Sequence, residues 1–320
     1  MVCCGLGTKM TTNAHGKRFG SHGRRLARRG ELRTGFTLIE LLVVVGLVSI
    51  LTAILVPALG KVRQQARHVI GIGNMRQIVT SVNSFADDNR GRYPPSVATI
   101  GYGDNWNWHE PTFLTTYTKR SVTPFRSLST YLHSYIPDAD AMVCPSAPLK
   151  HKYLQEAWDA GETWVNPEIP VLTNALLGTY CLYWNYTGSL GEDMGLFRGP
   201  KGPARGPREG SLLVTDYIGY DHSRNPDAFG SCERFSHAGI VEGTDISSAF
   251  WSHPGDGVPE DLAKLDIQPS AGYVDGHVES FTPVDTVPMR AILRPATGEP
   301  YDDDADYSPG IFFLPRAGIR

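Results

Sequence analysis

The feature that most constrains this chain is an apolar run of 24 residues, 36–59, near the N-terminus. As an α-helix, which rises ~1.5 Å per residue, the run would be roughly 36 Å long, enough for a hydrocarbon core of ~30 Å. A cleaved secretory signal has a shorter apolar region, followed at once by small residues at the cleavage site. Here the small residue, Gly35, precedes the run. The pattern therefore predicts a transmembrane helix over 36–59.

The charges beside this run predict its orientation. Segments rich in Lys and Arg tend to stay in the cytoplasm. A basic arm is also typical of nucleic-acid tails, but next to a hydrophobic span it favours a membrane segment, and we expect no nucleic-acid partner. Three basic residues follow the run and weaken the asymmetry without reversing it. Against the single acid Glu31, eight basic residues precede the run: Lys9, Lys17, Arg18, Arg24, Arg25, Arg28, Arg29 and Arg33.

Glu40 is an acid inside the apolar run. A charge deep in a bilayer costs on the order of 3 kcal/mol, so it normally has a partner or a function. A cut after Gly35 would make Phe36 the N-terminal residue, with its amine about one helical turn from the Glu40 carboxylate. The carboxylate would also suit the positive end of the helix dipole. It could instead reach the amine of a neighbouring chain, or simply snorkel to the cytoplasmic edge of a plain anchor.

The sequence GFTLIELLVV at 35–44 resembles the prepilin processing motif of type IV pilins and type II secretion pseudopilins. The resemblance implies cleavage between Gly35 and Phe36 by a membrane prepilin peptidase, N-methylation of Phe36, and a docking role for Glu40 toward a neighbouring subunit. Pro57 falls where this family often has a helix-bending proline, and we expect it to kink or locally melt the helix. The 35-residue leader is longer than most, which makes Met10 an alternative start.

A helical rhythm continues beyond the run. Met75, Ile78, Val82 and Phe85 recur at spacings of three and four, which predicts one apolar stripe packed on a globular domain. The residues 89–91, Asn-Arg-Gly, followed by Pro-Pro at 94–95, end the pattern. We therefore expect one helix over 36–89. Segments 74–78 and 88–95 resemble the helix-to-loop junction of a large family of pseudopilin-like exported proteins.

From about residue 96 the composition changes to Gly, Pro, Asn, Asp and aromatic residues. Short apolar or alternating stretches at 179–186, 211–218, 271–281 and 310–314 predict a mainly antiparallel sheet with long loops. The stretch 197–210 is predicted to be an exposed loop. The expected fold is α+β and pilin-like, with a leader at 1–35, a membrane and assembly helix at 36–59, a continuation and junction at 60–95, and an exported β-rich domain at 96–320.

Asp275-Gly276 lies between two β-rich stretches and predicts a hairpin with a type I′ turn, because both central residues of that turn need positive φ. Asp275, Gly276, His277 and Val278 also resemble the C-terminal Asp-Gly-His-Val hairpin of the same exported family. That family has a second histidine upstream. Here His253 is the better candidate and His237 the second, and residues 258–269 resemble an insertion in the interval.

Three cysteines follow the leader, in a compartment that permits disulfides. One expected pairing joins Cys144 to Cys181, although connectivity cannot be derived from sequence and Cys232 is also present. No Cys-x-x-Cys or paired-histidine spacing predicts a metal. Asp302, Asp303, Asp304 and Asp306 resemble the C-terminal calcium loop of major pseudopilins only in composition. A solvated acidic turn is therefore favoured, and no cofactor is expected, with calcium as the alternative.

The chain has no Gly-x-Ser-x-Gly, phosphate-loop or His-Glu-x-x-His motif, so we expect a structural subunit and not an enzyme. The expected partners are the prepilin peptidase and N-methyltransferase, other pilin or pseudopilin subunits, and the membrane. The expected location is the inner (cytoplasmic) membrane, crossed once, with the N-terminus cytoplasmic and the globular domain periplasmic or extracytoplasmic. The rival hypothesis is a monomeric binding module on a processed anchor, with ligand-binding aromatics in its loops: Trp106, Trp108, Trp158 and Trp164.

Overall fold

The fold is α+β: a long N-terminal apolar helix precedes a set of antiparallel sheets. The chain divides into two compact units, Met1–Leu55 and Val56–Arg320. We call the described part of residues 96–320 the β domain. The computed structural model describes residues 36–100, 106–107, 111–117, 125–147, 152–165, 167, 176–191, 194–220, 229–231, 267–290 and 311–319.

Helix α1 spans Leu38–Asp88, 51 residues, and agrees with the predicted helix to within two residues at each end. It continues through Pro57 without interruption, so of the two expected effects, a kink or local melting, the melting is absent. A proline removes one N–H donor, and the hydrogen bonds of the neighbouring turns are retained. The helix stops where predicted: Arg90 and Gly91 take φ of 58° and 74°, and the Gly91 N–H donates to the Ala86 carbonyl at 2.7 Å.

The predicted stripe on α1 is confirmed. Met75, Ile78 and Val82 are fully buried, and Phe85 is partly buried against the same core. Val79 and Ala86 extend the stripe. Tyr131 and Tyr135 lie edge-to-face against Phe85, with ring centroids 6.1 Å away in each case. The later part of α1 therefore belongs to the core of the second unit.

Every strand pairing in the described residues is antiparallel. The strands are β1 Thr99–Ile100, β2 Trp106–Asn107, β3 Phe113–Tyr117, β4 Phe125–Ser127, β5 Leu176–Leu177, β6 Tyr180–Leu182, β7 Thr187–Leu190, β8 Gly195–Arg198, β9 Leu212–Asp216, β10 Ile218–Tyr220, β11 Phe229–Ser231, β12 Ser270–Tyr273, β13 Val278–Ser280, β14 Thr286–Arg290 and β15 Ile311–Pro315. They form sheets with the orders β1-β2, β4-β3-β5, β13-β12-β9-β6 and β11-β10-β15-β14-β7-β8.

The four predicted β stretches all contain strands: β6, then β9 with the start of β10, then β12 and β13, then β15. Two short helices, α2 Ser129–Leu132 and α3 Leu154–Ala160, and several strands were not predicted. Strands such as β5, with two residues, are too short to show an alternating pattern. They form because neighbouring strands supply the pairing.

The four-stranded sheet contacts α1 through a glycine. A Cβ built on Gly272 of β12 would lie 2.7 Å from a methyl of Val79 on α1 and 2.8 Å from a methyl of Val214 on β9. Such contacts are too short for a real side chain. Glycine at this position therefore lets the helix approach the backbone of the sheet closely.

The loop at 197–210 differs from the expectation of a wholly exposed segment. Lys201 and Arg205 are exposed. Phe197 is part of β8 and is buried in the core, and Gly202 is also buried. The Lys201 carbonyl accepts a hydrogen bond from the Tyr93 N–H at 2.9 Å. This Gly-Pro-rich loop packs over the junction that follows α1, where the Lys201 carbonyl satisfies a backbone donor and Gly202 lies against Gly91.

The predicted hairpin joins β12 and β13, but its turn is not type I′. Of the loop residues, Gly276 takes a positive φ of 93° and Asp275 does not. The Gly276 N–H donates to the Tyr273 carbonyl and the Tyr273 N–H donates to the His277 carbonyl, both at 3.0 Å. This pattern is a three-residue loop, 274–276, closed by a left-handed glycine. The loop is one residue longer than a type I′ turn allows, so only its last residue needs positive φ.

Candidate functional site

The first turn of α1 forms a reciprocal cap between Thr37 and Glu40. The Thr37 N–H and the Thr37 hydroxyl both donate to Glu40 Oε2 at 2.8 Å. The Glu40 N–H donates to Thr37 Oγ1 at 3.2 Å. Thr37 precedes the first helical residue and Glu40 is the third, which is the spacing of a capping box. Sequence reasoning assigned Glu40 to the dipole and to docking; the Thr-x-x-Glu spacing at 37–40 was the signal for this further role.

Glu40 keeps one oxygen available. Only Oε2 takes part in the capping bonds, and Oε1 accepts no hydrogen bond from any residue that the structure describes. The side chain is exposed on the surface of the helix. A carboxylate can accept on both oxygens. Glu40 can therefore hold the start of its own helix and still receive a second donor.

The front part of α1, residues 38–59, exposes apolar side chains on every side. Leu38 is 79% exposed, Ile54 is 69% exposed, and none of the most apolar stretch of the helix is buried. Exposed apolar surface of this extent marks a membrane or protein contact. Length and composition make α1 long and apolar enough to cross a membrane. We conclude that this part of the helix is suited to contact with lipid or with other helices.

The few polar side chains on the front part of α1 satisfy their own donors. The Ser49 hydroxyl donates to the Val45 carbonyl at 2.7 Å, and the Thr52 hydroxyl donates to the Val48 carbonyl at 2.9 Å. In hydrocarbon an unsatisfied donor costs several kcal/mol, and bonding to the preceding turn removes that cost. These hydroxyls are therefore compatible with an apolar surrounding.

The N-terminal segment that contains the start of α1 matches a known family model. Residues 32–56 match the family model described as the prokaryotic N-terminal methylation motif. The match supports a type IV pilin-like protein. It spans the expected cleavage junction, the capped first turn and most of the apolar run. No curated protein and no solved structure matches the chain. Gly35 lies outside the described residues, and Phe36 is exposed just before α1.

The Asp-Gly-His hairpin is held by local contacts. Asp275 Oδ1 accepts from the His277 N–H at 3.2 Å and pairs with His277 Nδ1, and the His277 ring stacks on Tyr273 at 4.3 Å. Burial acts to raise the pKa of Asp275, but the hydrogen bonds and charge of His277 hold it below its ordinary value. Burial, with the nearby Glu279 carboxylate, raises the pKa of Tyr273. The group stabilises a turn; the two upstream histidine candidates lie outside the described residues.

The hairpin also contacts α1. The Asn83 side chain donates from Nδ2 to the Val274 carbonyl at 3.2 Å, and its Oδ1 accepts from the Tyr93 hydroxyl at 2.7 Å. His68 Nε2 lies 3.2 Å from Ser280 Oγ. Asp275, Gly276 and His277 thus belong to a hairpin that is joined to the later part of α1 through Val274 and Ser280.

The expected bond between Cys144 and Cys181 is not formed in the structure: both cysteines are buried, and no disulfide joins them. Cys181 lies on β6, and its thiol interacts with the Tyr183 hydroxyl and helps to raise the pKa of that tyrosine. The Cys144 N–H donates to the Thr179 hydroxyl. Both cysteines thus lie inside the core without a bond between them. Cys232 and the acidic cluster at 302–306 lie outside the described residues.

The aromatic residues of the binding-module hypothesis are only partly described. Trp158 and Trp164 are buried, with 1% and 3% exposure, and the Trp158 indole N–H donates to the Ile136 carbonyl at 2.7 Å. They are core residues and are not displayed for a ligand, which corrects that hypothesis for these two. In the described part of the chain, no group of three or more His, Cys, Asp or Glu side chains could hold a metal ion.

Proposed function

We propose that this chain is a structural subunit of a pilus or type II secretion pseudopilus. It is cut after Gly35, methylated on the Phe36 amine, anchored by residues 36–59, and assembled through that helix. The supporting observation is the methylation motif at 32–56 on a helix whose apolar side chains are exposed all round. In lipid such helices associate by packing. Outside lipid, burial against neighbouring helices removes apolar surface from water.

Glu40 acts as both a cap and a docking group. Its Oε2 caps the helix through Thr37, while Oε1 receives the N-terminal amine that cleavage creates, from a neighbouring subunit. A carboxylate paired with an amine avoids the cost of an unpaired charge in an apolar filament. The basic leader stays in the cytoplasm, and the β domain lies on the other side of the membrane. The chain is the substrate of the peptidase and methyltransferase and performs no catalysis itself.

Processing is tested by mass spectrometry of the protein isolated from membranes. The expected mature chain begins at Phe36 and carries a methyl group on its amine. A Gly35→Leu variant should remain full length in the same preparation. A wild-type chain that retains residues before Gly35, or that is cut after Pro57, would contradict the proposal.

Docking is tested with two variants that separate the roles of Glu40. Glu40→Gln keeps an acceptor for the cap but removes the charge. Thr37→Ala keeps the charge but weakens the cap by about 1 kcal/mol. We expect Glu40→Gln to abolish filament incorporation while membrane insertion stays normal, and Thr37→Ala to retain incorporation. Filaments are measured by crosslinking and by sedimentation of sheared fractions.

Two outcomes would contradict this assignment. An equal loss of filament incorporation in Glu40→Gln and Thr37→Ala would mean that Glu40 acts by capping the helix and not through its charge. A wild-type protein that forms no higher-order species would favour the monomeric binding module, in which the processed helix is only an anchor.

A further inference from the structure

Between the apolar run and the β domain, α1 has a stretch that no other part of the described structure covers. Residues 60–67 are exposed, and His68 is the first side chain after them that forms a hydrogen bond to the β domain, to Ser280. Eight residues of helix are ~12 Å long. The headgroup layer on one side of a bilayer is roughly 5–8 Å thick. The stretch is therefore long enough to pass through that layer.

This stretch is cationic. Lys61, Arg63 and Arg67, which we call the collar, fall within it, and α1 has no acidic residue between Glu40 and Asp87. No hydrogen bond or ion pair to a described residue engages any of the three side chains. Basic residues on the flank that follows the span run against the usual charge bias of a membrane helix. Their position calls for a separate explanation.

The spacing within the collar favours an anion. Arg63 and Arg67 are four residues apart, so they lie on one face of the helix, where like charges repel. A phosphate between two guanidinium groups converts that repulsion into charge-assisted hydrogen bonds. Lys61 lies on a different face. Val62, exposed between Lys61 and Arg63, keeps apolar surface at the same level as the charges.

We propose that the collar binds anionic phospholipid headgroups in the leaflet where the apolar run ends. Arg63 and Arg67 hold one lipid phosphate between them, and Lys61 attracts another on the opposite side of the helix. Cations adjoining an exposed apolar run match the order of headgroup and acyl chain in a lipid. The binding fixes the depth of the unassembled subunit. The inference requires only that the run spans a membrane, and it does not depend on filament assembly.

The test uses the full chain in phosphatidylcholine bilayers that contain spin-labelled phosphatidylglycerol or spin-labelled phosphatidylcholine. Electron paramagnetic resonance measures the fraction of each lipid held at the protein. We expect phosphatidylglycerol to be preferred about 25-fold or more over phosphatidylcholine, because each of the two arginines contributes about fivefold. The preference should fall about fivefold in Arg63→Gln and about fivefold in Arg67→Gln. The matched control is Arg76→Gln. Arg76 is exposed on the same helix, at a level where the opposite face of α1 is buried against the β domain. It should leave the preference unchanged.

Several results would overturn the inference. One is equal association of both lipids with the wild type; another is a loss in Arg76→Gln as large as in the collar variants. If millimolar inorganic phosphate, at constant ionic strength, abolished the preference, the collar would be a site for free phosphate. A third result is a wild type that shows no lipid preference, together with weaker self-association of Arg63→Gln and Arg67→Gln. The partner of the collar would then be another subunit. Processing and Glu40-dependent assembly are measured separately, so failure here leaves those tests intact.

Discussion

The front and later parts of α1 share one backbone geometry but differ in what surrounds them. From 38 to 59 almost every residue is apolar and exposed. From 71 to 86 apolar residues recur every three or four positions, and those are buried. A helix that is apolar all round suits a surrounding that is apolar on all sides, whereas a stripe suits one packed face. The distribution of apolar residues around the helix therefore indicates its surroundings.

Polar side chains show the same contrast. In the front part, Ser49 and Thr52 bond to carbonyls of their own helix. In the later part, the Asn74 amide donates to the Val143 carbonyl at 3.1 Å and the Asn83 amide donates to the Val274 carbonyl. Polar groups of the later part thus bind specific places on the β domain. The front part leaves no donor that needs a fixed protein partner.

The largest expected difference between the two parts comes from truncating an isoleucine. Ile78→Ala should lower the free energy of unfolding of the β domain by about 3 kcal/mol, because it leaves a cavity in a fully buried site. Ile54→Ala, on the exposed front part, should change it by less than about 0.5 kcal/mol. Denaturant titration of the full chain in detergent, followed by tryptophan fluorescence, measures both. An equal loss from Ile54→Ala would show that the front part contributes to the domain fold.

A pair of glycine substitutions sharpens the contact between α1 and β12. Gly272→Ala should cost about 2 kcal/mol, because its methyl group would lie against Val79 and Val214. Gly73→Ala on the open face of the helix should instead stabilise by up to about 1 kcal/mol, since a Cβ built there meets no described atom within 4 Å apart from the adjoining backbone of its own helix. The same titration measures both. A neutral Gly272→Ala would mean that α1 does not approach the sheet so closely.

Polar truncations give the next effect. Asn83→Ala removes the partner of both the Tyr93 hydroxyl and the Val274 carbonyl, and should cost roughly 1.5 kcal/mol in unfolding free energy. Ser49→Ala removes only a bond within its own helix and should be neutral to within about 0.5 kcal/mol. Hydrogen exchange of the amides in residues 273–277 gives a local reading. Unchanged exchange in Asn83→Ala would contradict an anchoring role for this side chain.

The smallest effect is a pH dependence at the hairpin that contacts the later part of α1. The folded-state pKa of Asp275 is below its ordinary value of ~3.9, so the ionised group stabilises the fold above that value. This contribution disappears as the pH falls through the lowered pKa. His277→Ala should return the pKa of Asp275 toward its ordinary value, and NMR titration of the side-chain carboxyl carbon measures the change. An unchanged pKa would remove His277 as its cause.

Much of the helical part was predictable because its signals are local. The length of the apolar run, the stripe from Met75 to Phe85 and the stop at residues 89–91 depend on neighbours along the chain. The reciprocal Thr37–Glu40 cap was also within reach, since its residues are three apart. The hairpin position was predicted from Asp275-Gly276, but its turn type was not. The turn is set by the pairing of Tyr273 with His277, which fixes a loop of three residues.

The sequence by itself determined the long helix, its change from an all-round apolar surface to a stripe, and the methylation motif. Each depends on residue spacing within a few turns, where chain connectivity keeps the interacting groups close. Only the tertiary structure decided the strand order, the burial of Trp158 and Trp164, the packing of Gly202 over the helix junction, and the partners of Cys144 and Cys181. Those features join residues far apart in the chain, and short segments select their neighbours by packing and hydrogen bonding in three dimensions.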